Sequence, residues 1–446
     1  MSAAGYTRIL KLGFPILVGQ LGMIVVGFAD TTMVGRYSTQ ALASASFVNS
    51  LFNVAIFLLL GFSYGLTPLV GALFGRRQEH RIGALVRTGL WVNILVAVLI
   101  MAIMTAVYFN IHRLGQPPEL LPVIRPYFLI YLAGLIPIAV FNVFSQCSYA
   151  IRLTSMPMWI TLAANVINIL GNWLLIYGNL GCPELGLTGA GLATLLARIF
   201  CPIVIALIFM RHTKFSGYAR GFVHGHSEPG ATGKINRTSW PLALQMAFES
   251  GSFSAAGVMA GWLGAISLAA FQVIITISTL GFCIYYSMGS AISVLIANAA
   301  GEGNRLEMRA IARRGYIIIL ALAACSSLFF IFGSRPMIAF FTPDPVVRAA
   351  AALMIIPLVI YQFGDATQIT FANALRGTAH VMPMLWIAFI CYVLVGLPAT
   401  YIFAFPMQMG APGIILSFSV SLFLAAGCFF YFFRRSTRLK SSKACS

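Results

Sequence analysis

Several stretches of this chain hold no acidic or basic side chain, among them residues 88–109, 153–178, 185–197, 250–301 and 381–433. A helix needs about 20 consecutive, mainly apolar residues to cross the hydrocarbon core of a bilayer, and most of these stretches exceed that length. Only 9% of the residues are charged and 60% are hydrophobic. A water-facing surface would need charged residues at roughly a quarter to a third of its positions, so a soluble fold is excluded. Spanning barrel strands are about ten residues long and alternate in polarity, whereas these runs are continuous and rich in Gly and Ala. The chain therefore reads as an all-α polytopic membrane protein. No short basic segment leads into a small-residue cleavage site, so the first apolar run is expected to be a span rather than a leader.

Twelve spans are expected, at 12–34, 44–70, 87–109, 123–147, 156–178, 186–210, 239–261, 267–298, 312–334, 349–374, 382–405 and 410–433. The net charge of +18 raises the question of a nucleic-acid partner, but the basic residues form short patches between apolar runs, not one face. Their placement instead orients the chain. Of 28 Lys and Arg, 22 fall in the two tails, the second and fourth loops, the central segment, and the loops after the eighth and tenth spans. Cytoplasmic loops carry such an excess, so both termini are expected in the cytoplasm. The eight Cys lie mostly inside apolar segments, with Cys182 alone in a loop, and imply no disulfide framework.

Residues 211–238 form the longest polar stretch and read as a linker. At one constant offset the first half repeats in the second. Lys11–Pro15 meets Arg237–Pro241, Met33 and Gly35 meet Met259 and Gly261, and Leu42–Ala43 meets Leu268–Ala269. Gly75 and Gly89 meet Gly301 and Gly315, and Met156–Pro157–Met158 meets Met382–Pro383–Met384. The expected organisation is an N-terminal six-helix lobe at 1–210, a cytoplasmic linker at 211–238, and a C-terminal six-helix lobe with a cytoplasmic tail at 239–446. Six spans per half make the repeats parallel, related by an axis along the membrane normal around a central cleft. Such an arrangement suits alternating access.

Three acids, Asp30, Glu249 and Asp365, fall inside expected spans. An ionised carboxylate in hydrocarbon costs at least ~2.5–3.5 kcal/mol on insertion scales. Each must face a protein interior or aqueous cavity, pair with donors or cations, or take up a proton. The spans contain no Lys; Arg198 is a candidate counter-charge for one of the acids, and the sequence does not place it against any of them. The bland alternatives are a helix cap for Asp30, near Gly35, and structural hydrogen bonding for Glu249 and Asp365. At the repeat offset the three acids correspond to Ala256, Met23 and Ala139, so the halves share a scaffold and differ in chemistry. Asn168 and Asn172, at i,i+4 on one helix face, could bond Asp30 or give carbonyl oxygens to a cation; helix–helix glue is the rival role.

At these residues the sequence resembles the multidrug and toxic compound extrusion family, and within it the bacterial NorM-type branch. The matching pieces are FADTTMVGR at 28–36, NVINILGNWLLIYG at 165–178, GLTGAGLAT at 186–194, WPLALQMAFES at 240–250 and YQFGDATQITFANALRG at 361–377. The resemblance implies an antiporter of the bacterial cytoplasmic (inner) membrane that exports bulky cationic or aromatic compounds in exchange for H⁺ or Na⁺. It implies a coupling site at Asp30 with Asn168, Asn172 and Thr194 around it. It also implies a second cation site, able to hold Na⁺, at Glu249 and Asp365 with Tyr361 nearby. The archaeal branch carries an acid where Asn172 stands here. The expected partners are drugs and membrane lipids, the working unit a monomer, and no cofactor is expected beyond the coupling ion. A flippase for lipid-linked substrates is the main alternative, but few basic residues in the spans could hold a phosphate headgroup; a channel is the next. An enzyme is not expected, because no H-E-x-x-H or Ser–His–acid grouping is present.

Overall fold

The computed structural model describes residues 3–114, 117–226 and 228–438; the expected tail residues Lys440 and Lys443 lie outside them. The chain is helical throughout these residues, as hydrocarbon demands, because a helix satisfies its own backbone donors and acceptors where no water can. In chain order the main helices are α1 (Ala3–Tyr37), α2 (Thr39–Gly75), α3 (Glu79–Phe109), α4 (Pro118–Ala150), α5 (Ser155–Tyr177) and α6 (Gly186–Arg211). A short helix, α7 (Ser216–His224), follows. Then come α8 (Ala231–Trp262), α9 (Ala265–Gly301), α10 (Arg305–Phe341), α11 (Pro345–Ala352), α12 (Ile355–Gly377), α13 (Met382–Ala404) and α14 (Gly410–Ser436).

Ten of these helices are long and apolar enough to cross a membrane, and α11 with α12, bent by 49°, make an eleventh candidate. The expected span at 239–261 lies in α8, which has the length but not the apolarity. Its middle carries Gln245, Glu249, Ser250, Ser252 and Ser254, so the polar chemistry that makes it interesting is what lowers its hydropathy. Large apolar side chains such as Trp91, Trp159 and Phe332 are exposed, which suits lipid and would be untenable in water over so many positions.

Two compact units emerge, and neither is a continuous half of the sequence. One comprises residues 18–66 and 77–243; the other comprises 1–17, 67–76 and 244–446. In the first, α5 packs along α6, with Gly171 and Ala193 at the contact; small residues let helix backbones approach where lipid gives no hydrophobic drive. In the second, α14 is the most buried of the candidate spans and packs along α12. Helix α13 is interrupted by a π-helical stretch, Phe389–Gly396, just before Pro398. Proline has no N–H for the carbonyl four residues back, which favours a wider turn there.

The central polar stretch contains a packed helix. Within the first unit, α7 lies on the start of α3 with almost no side chain between them: Gly217 and Gly221 meet Glu79 and His80, and Gly83 meets the α7 backbone. The Arg87 guanidinium donates to the carbonyls of Phe222 at 3.0 Å, Val223 at 3.2 Å and Gly225 at 2.7 Å. Phe222 and Val223 carry terminal carbonyls of α7, which have no partner within the helix, and Gly225 follows its last residue. Beyond them Glu228 pairs with Arg81 and, at 3.1 Å, with Lys234.

Candidate functional sites in the two units

In the first unit one hydrogen-bonded chain links three helices. Asn172 Nδ2 on α5 donates to Asp30 Oδ1 on α1 and to Asn168 Oδ1 at 3.3 Å. Asn168 Nδ2 donates to Thr194 Oγ1 on α6 at 3.1 Å, and Thr194 Oγ1 donates in turn to the Ala190 carbonyl at 3.0 Å. Both amides are buried. The four residues singled out in the sequence are therefore in one network. Asp30 stands well before the end of α1 at Tyr37, so it does not cap that helix. Close by, Tyr177 Oη donates to the Met33 carbonyl at 2.8 Å, tying α5 to α1 one turn beyond the acid.

The network has directional chemistry. An ionised carboxylate only accepts, and here an amide N–H supplies a charge-assisted donor. Asn172 Oδ1 is buried with no partner among the described residues. An amide oxygen and a carboxylate side by side can both ligate a small hard cation, and a protonated Asp30 could donate to an acceptor.

The second unit collects the other candidates. Asp365 is 2% exposed and its Oδ2 has no partner among the described residues. Glu249, on α8, acts on it electrostatically, and Tyr361 feels both acids. Glu249 itself bonds to Gln245, one turn back on α8. Tyr361 stands in an aromatic wall with Phe253 (6.4 Å) and Phe418 (6.3 Å).

Three residues here were not anticipated from the sequence. Gln368 Nε2 donates to Tyr392 Oη at 2.8 Å, leaving Gln368 Oε1 buried without a partner among the described residues. Tyr392 lies on the π-helical stretch, where its carbonyl accepts from Ser252 Oγ at 3.2 Å, and its ring is within reach of Glu249 and Asp365. Gln362 is fully buried and neither of its amide atoms is paired among the described residues. Gln residues one turn either side of a membrane acid were the available sequence signal.

Two carboxylates with no basic partner among the described residues, with amide and phenol groups in the same unit, offer oxygen donors of the kind hard cations take. Among the described residues no group of three or more His, Cys, Asp or Glu is arranged to hold a metal ion; the acids come as a pair and a single.

The family model MatE matches residues 15–174 and again 241–402. A probable multidrug resistance protein NorM from Mannheimia succiniciproducens is 28% identical over 436 residues, covering 95% of this chain and 92% of that protein. Among solved structures, a MOP superfamily transporter from Pyrococcus furiosus superposes with a TM-score of 0.88 at 18% identity, over 97% of this chain and 96% of that one. A mutant of the Vibrio cholerae MATE transporter VcmN gives 0.85 at 16% identity, over 97% of each chain. The eukaryotic MATE transporter AtDTX14 gives 0.86 at 19% identity, over 98% of each. At these identities the structures speak for the fold, while the twice-matched family model covers most of the sequence. The chain belongs to the MatE family, and with that membership goes a role in membrane transport, not in catalysis.

Proposed function

We propose that this protein is a multidrug efflux antiporter of the NorM type. It exports bulky cationic or aromatic compounds across the bacterial inner membrane in exchange for H⁺ or Na⁺. Twelve spans in two parallel six-helix repeats, 1–210 and 239–446, would be joined on the cytoplasmic side by 211–238, with both termini in the cytoplasm. One family model matches twice, from 15 and from 241, and these starts are the paired Pro15 and Pro241 of the internal repeat, which supports the duplication. The polar α8 then counts as the seventh span, its carboxylate shielded by the second unit.

The observation that carries the reading is the state of the membrane acids. Asp30 is held by the Asn172 amide and Glu249 by Gln245, Asp365 Oδ2 is buried without a partner, and none of the three makes an ion pair among the described residues. Such acids can exchange one cation for another, which is what antiport requires. A proton or Na⁺ arriving from outside neutralises them and weakens their attraction for a cationic drug; the drug leaves, and release of the ion inward restores it. The coupling is a free-energy linkage between two ligands. In this scheme Asp30, Asn168, Asn172 and Thr194 form one coupling site, and Glu249, Tyr361 and Asp365 the other.

The test is dye efflux from proteoliposomes with ΔpH and ΔNa⁺ imposed separately. Efflux driven by either gradient and lost in D30N, E249Q or D365N is the expected result. Undiminished efflux without either gradient would end the antiport reading. Full gradient-driven activity in all three variants would end the residue assignment.

A further inference from the structure

This exchange of cations makes no use of Arg198. Arg198 is on α6, one helical turn beyond Thr194 and so on the same helix face. A charged side chain at that depth is expensive unless its surroundings compensate. None of the ion pairs among the described residues involves it. Instead its guanidinium carbon sits 4.4 Å from the centroid of the Tyr131 ring, within cation–π range. Tyr131 is itself backed by Tyr127, with ring centroids 4.8 Å apart, and by Phe52 at 5.5 Å.

The backbone makes room for this. Helix α4 is broken at Gly134, between Ala133 and Leu135. A methyl group there would come within 2.8 Å of Arg198 Nη1 and 3.0 Å of its Cδ, so the absent side chain is what lets the guanidinium lie against the ring. Asp30, in the same unit, is within electrostatic reach of Arg198, and Tyr127 feels both. A tyrosine wall near a carboxylate is the equipment that recognises an organic cation. Here the equipment already has a cation in it.

We propose that Arg198 is the resident cation of the Asp30 site: a guanidinium parked on Tyr131 that balances the Asp30 charge and limits how tightly this unit takes an exogenous organic cation. The proposal rests on the reading of the protein as an exporter of organic cations, and adds the residue that sets their affinity. When Arg198 is replaced by a neutral residue, an incoming cation meets the full attraction of Asp30 and no repulsion from the guanidinium. Lys at this position keeps the charge but not the flat stacking.

The experiment is calorimetric binding of tetraphenylphosphonium to the full chain in phosphatidylcholine nanodiscs. R198Q should bind it more tightly, by on the order of tenfold for the loss of one nearby like charge, while R198K stays near wild type. In a D30N background the gain from R198Q should shrink to less than about threefold, since no carboxylate is left to release. Gly134→Ala displaces the guanidinium without removing it and should give a gain in the same direction; it serves in place of R198Q if that variant does not fold. Equal binding by wild type and both variants, or a gain undiminished by D30N, overturns the resident-cation assignment and leaves the exporter reading standing. Absence of binding in wild type and variants alike overturns both.

Discussion

The contact of α7 with α3 allows one substitution to be followed from atoms to an assay. A Cβ at Gly83 would overlap the Tyr218 carbonyl oxygen and the Phe222 nitrogen, and would lie 2.6 Å from the Gly221 carbonyl carbon. All three are backbone atoms and cannot rotate aside. Restoring a van der Waals separation of about 3.5 Å requires α7 to retreat by roughly 1.5 Å. Arg87 now reaches Phe222, Val223 and Gly225 at 3.0, 3.2 and 2.7 Å, and such a retreat takes most of these contacts out of hydrogen-bond range. Overpacking alone costs about 1–3 kcal/mol. A charged hydrogen bond adds about 1.5–3 kcal/mol when buried, and less here because the Arg87 contacts are only partly buried. A total of about 2–4 kcal/mol follows, or roughly a thirtyfold to several-hundredfold rise in the opening equilibrium of α7. Where opening is fast relative to cleavage, proteolysis tracks that equilibrium. Limited trypsin digestion of the reconstituted protein should therefore cut G83A at Arg220, an exposed residue of α7, far faster than wild type. Gly233→Ala, which meets no atom within 4 Å, should cut at the wild-type rate. If G83A and wild type are digested alike, the backbone-on-backbone contact is not what holds the linker.

Other consequences can be measured as directly. Glu228 has its carboxyl held below the ordinary value by the Lys234 hydrogen bond first and by Arg81 second. A depressed acid stabilises above its unfolded pKa and loses that contribution as pH falls through the lowered value, so trypsin-independent probes of linker opening, such as amide exchange, should be flat near neutrality and rise only below about pH 4.5; E228Q should abolish the acid step. Asn172→Leu removes the donor to Asp30 and the link to Asn168 together; with a charged hydrogen bond worth about 1.5–3 kcal/mol, gradient-driven efflux should fall by at least tenfold in proteoliposomes. Tyr392→Phe strands Gln368 Nε2 at a cost of about 1–3 kcal/mol, whereas adding Gln368→Leu should recover part of it, because replacing both partners by apolar groups is close to neutral; melting temperatures of the two variants decide it.

The fold was most legible where one-dimensional pattern and physics coincide. Runs without charge marked the apolar helices, and the i,i+4 pair Asn168 and Asn172 already implied one polar face, so the Asp30 network was foreshadowed before its geometry. Contacts between helices distant in the chain were not. Nothing in the sequence says that Arg198 reaches across to Tyr131 on α4, or that Gly134 clears its way. The same holds for Gln368 and Tyr392, whose hydrogen bond spans 24 residues. The central stretch read as a linker from its polarity, but its packing was not legible: the spacing of Gly217 and Gly221 against Gly83, and the role of Arg87 at the end of α7, need two surfaces to be seen at once. The units likewise interleave the ends of the sequence halves, and a hydropathy profile has no means of expressing that.

The π-helical stretch in α13, Phe389–Gly396, follows Met384 of the second methionine–proline–methionine triplet by a few residues. A π turn takes up an added residue by widening, so the helix need not rotate everything that follows. Removing one residue between Phe389 and Val395 should close the turn to ordinary α geometry, whereas the same deletion in a regular α-helix would swing everything downstream by about 100°. Thr400, now 2.8 Å from Ser417 Oγ, should therefore keep that hydrogen bond. The turn works as an expansion joint: it lets the chain change length at one point while the side chains downstream keep their bearings.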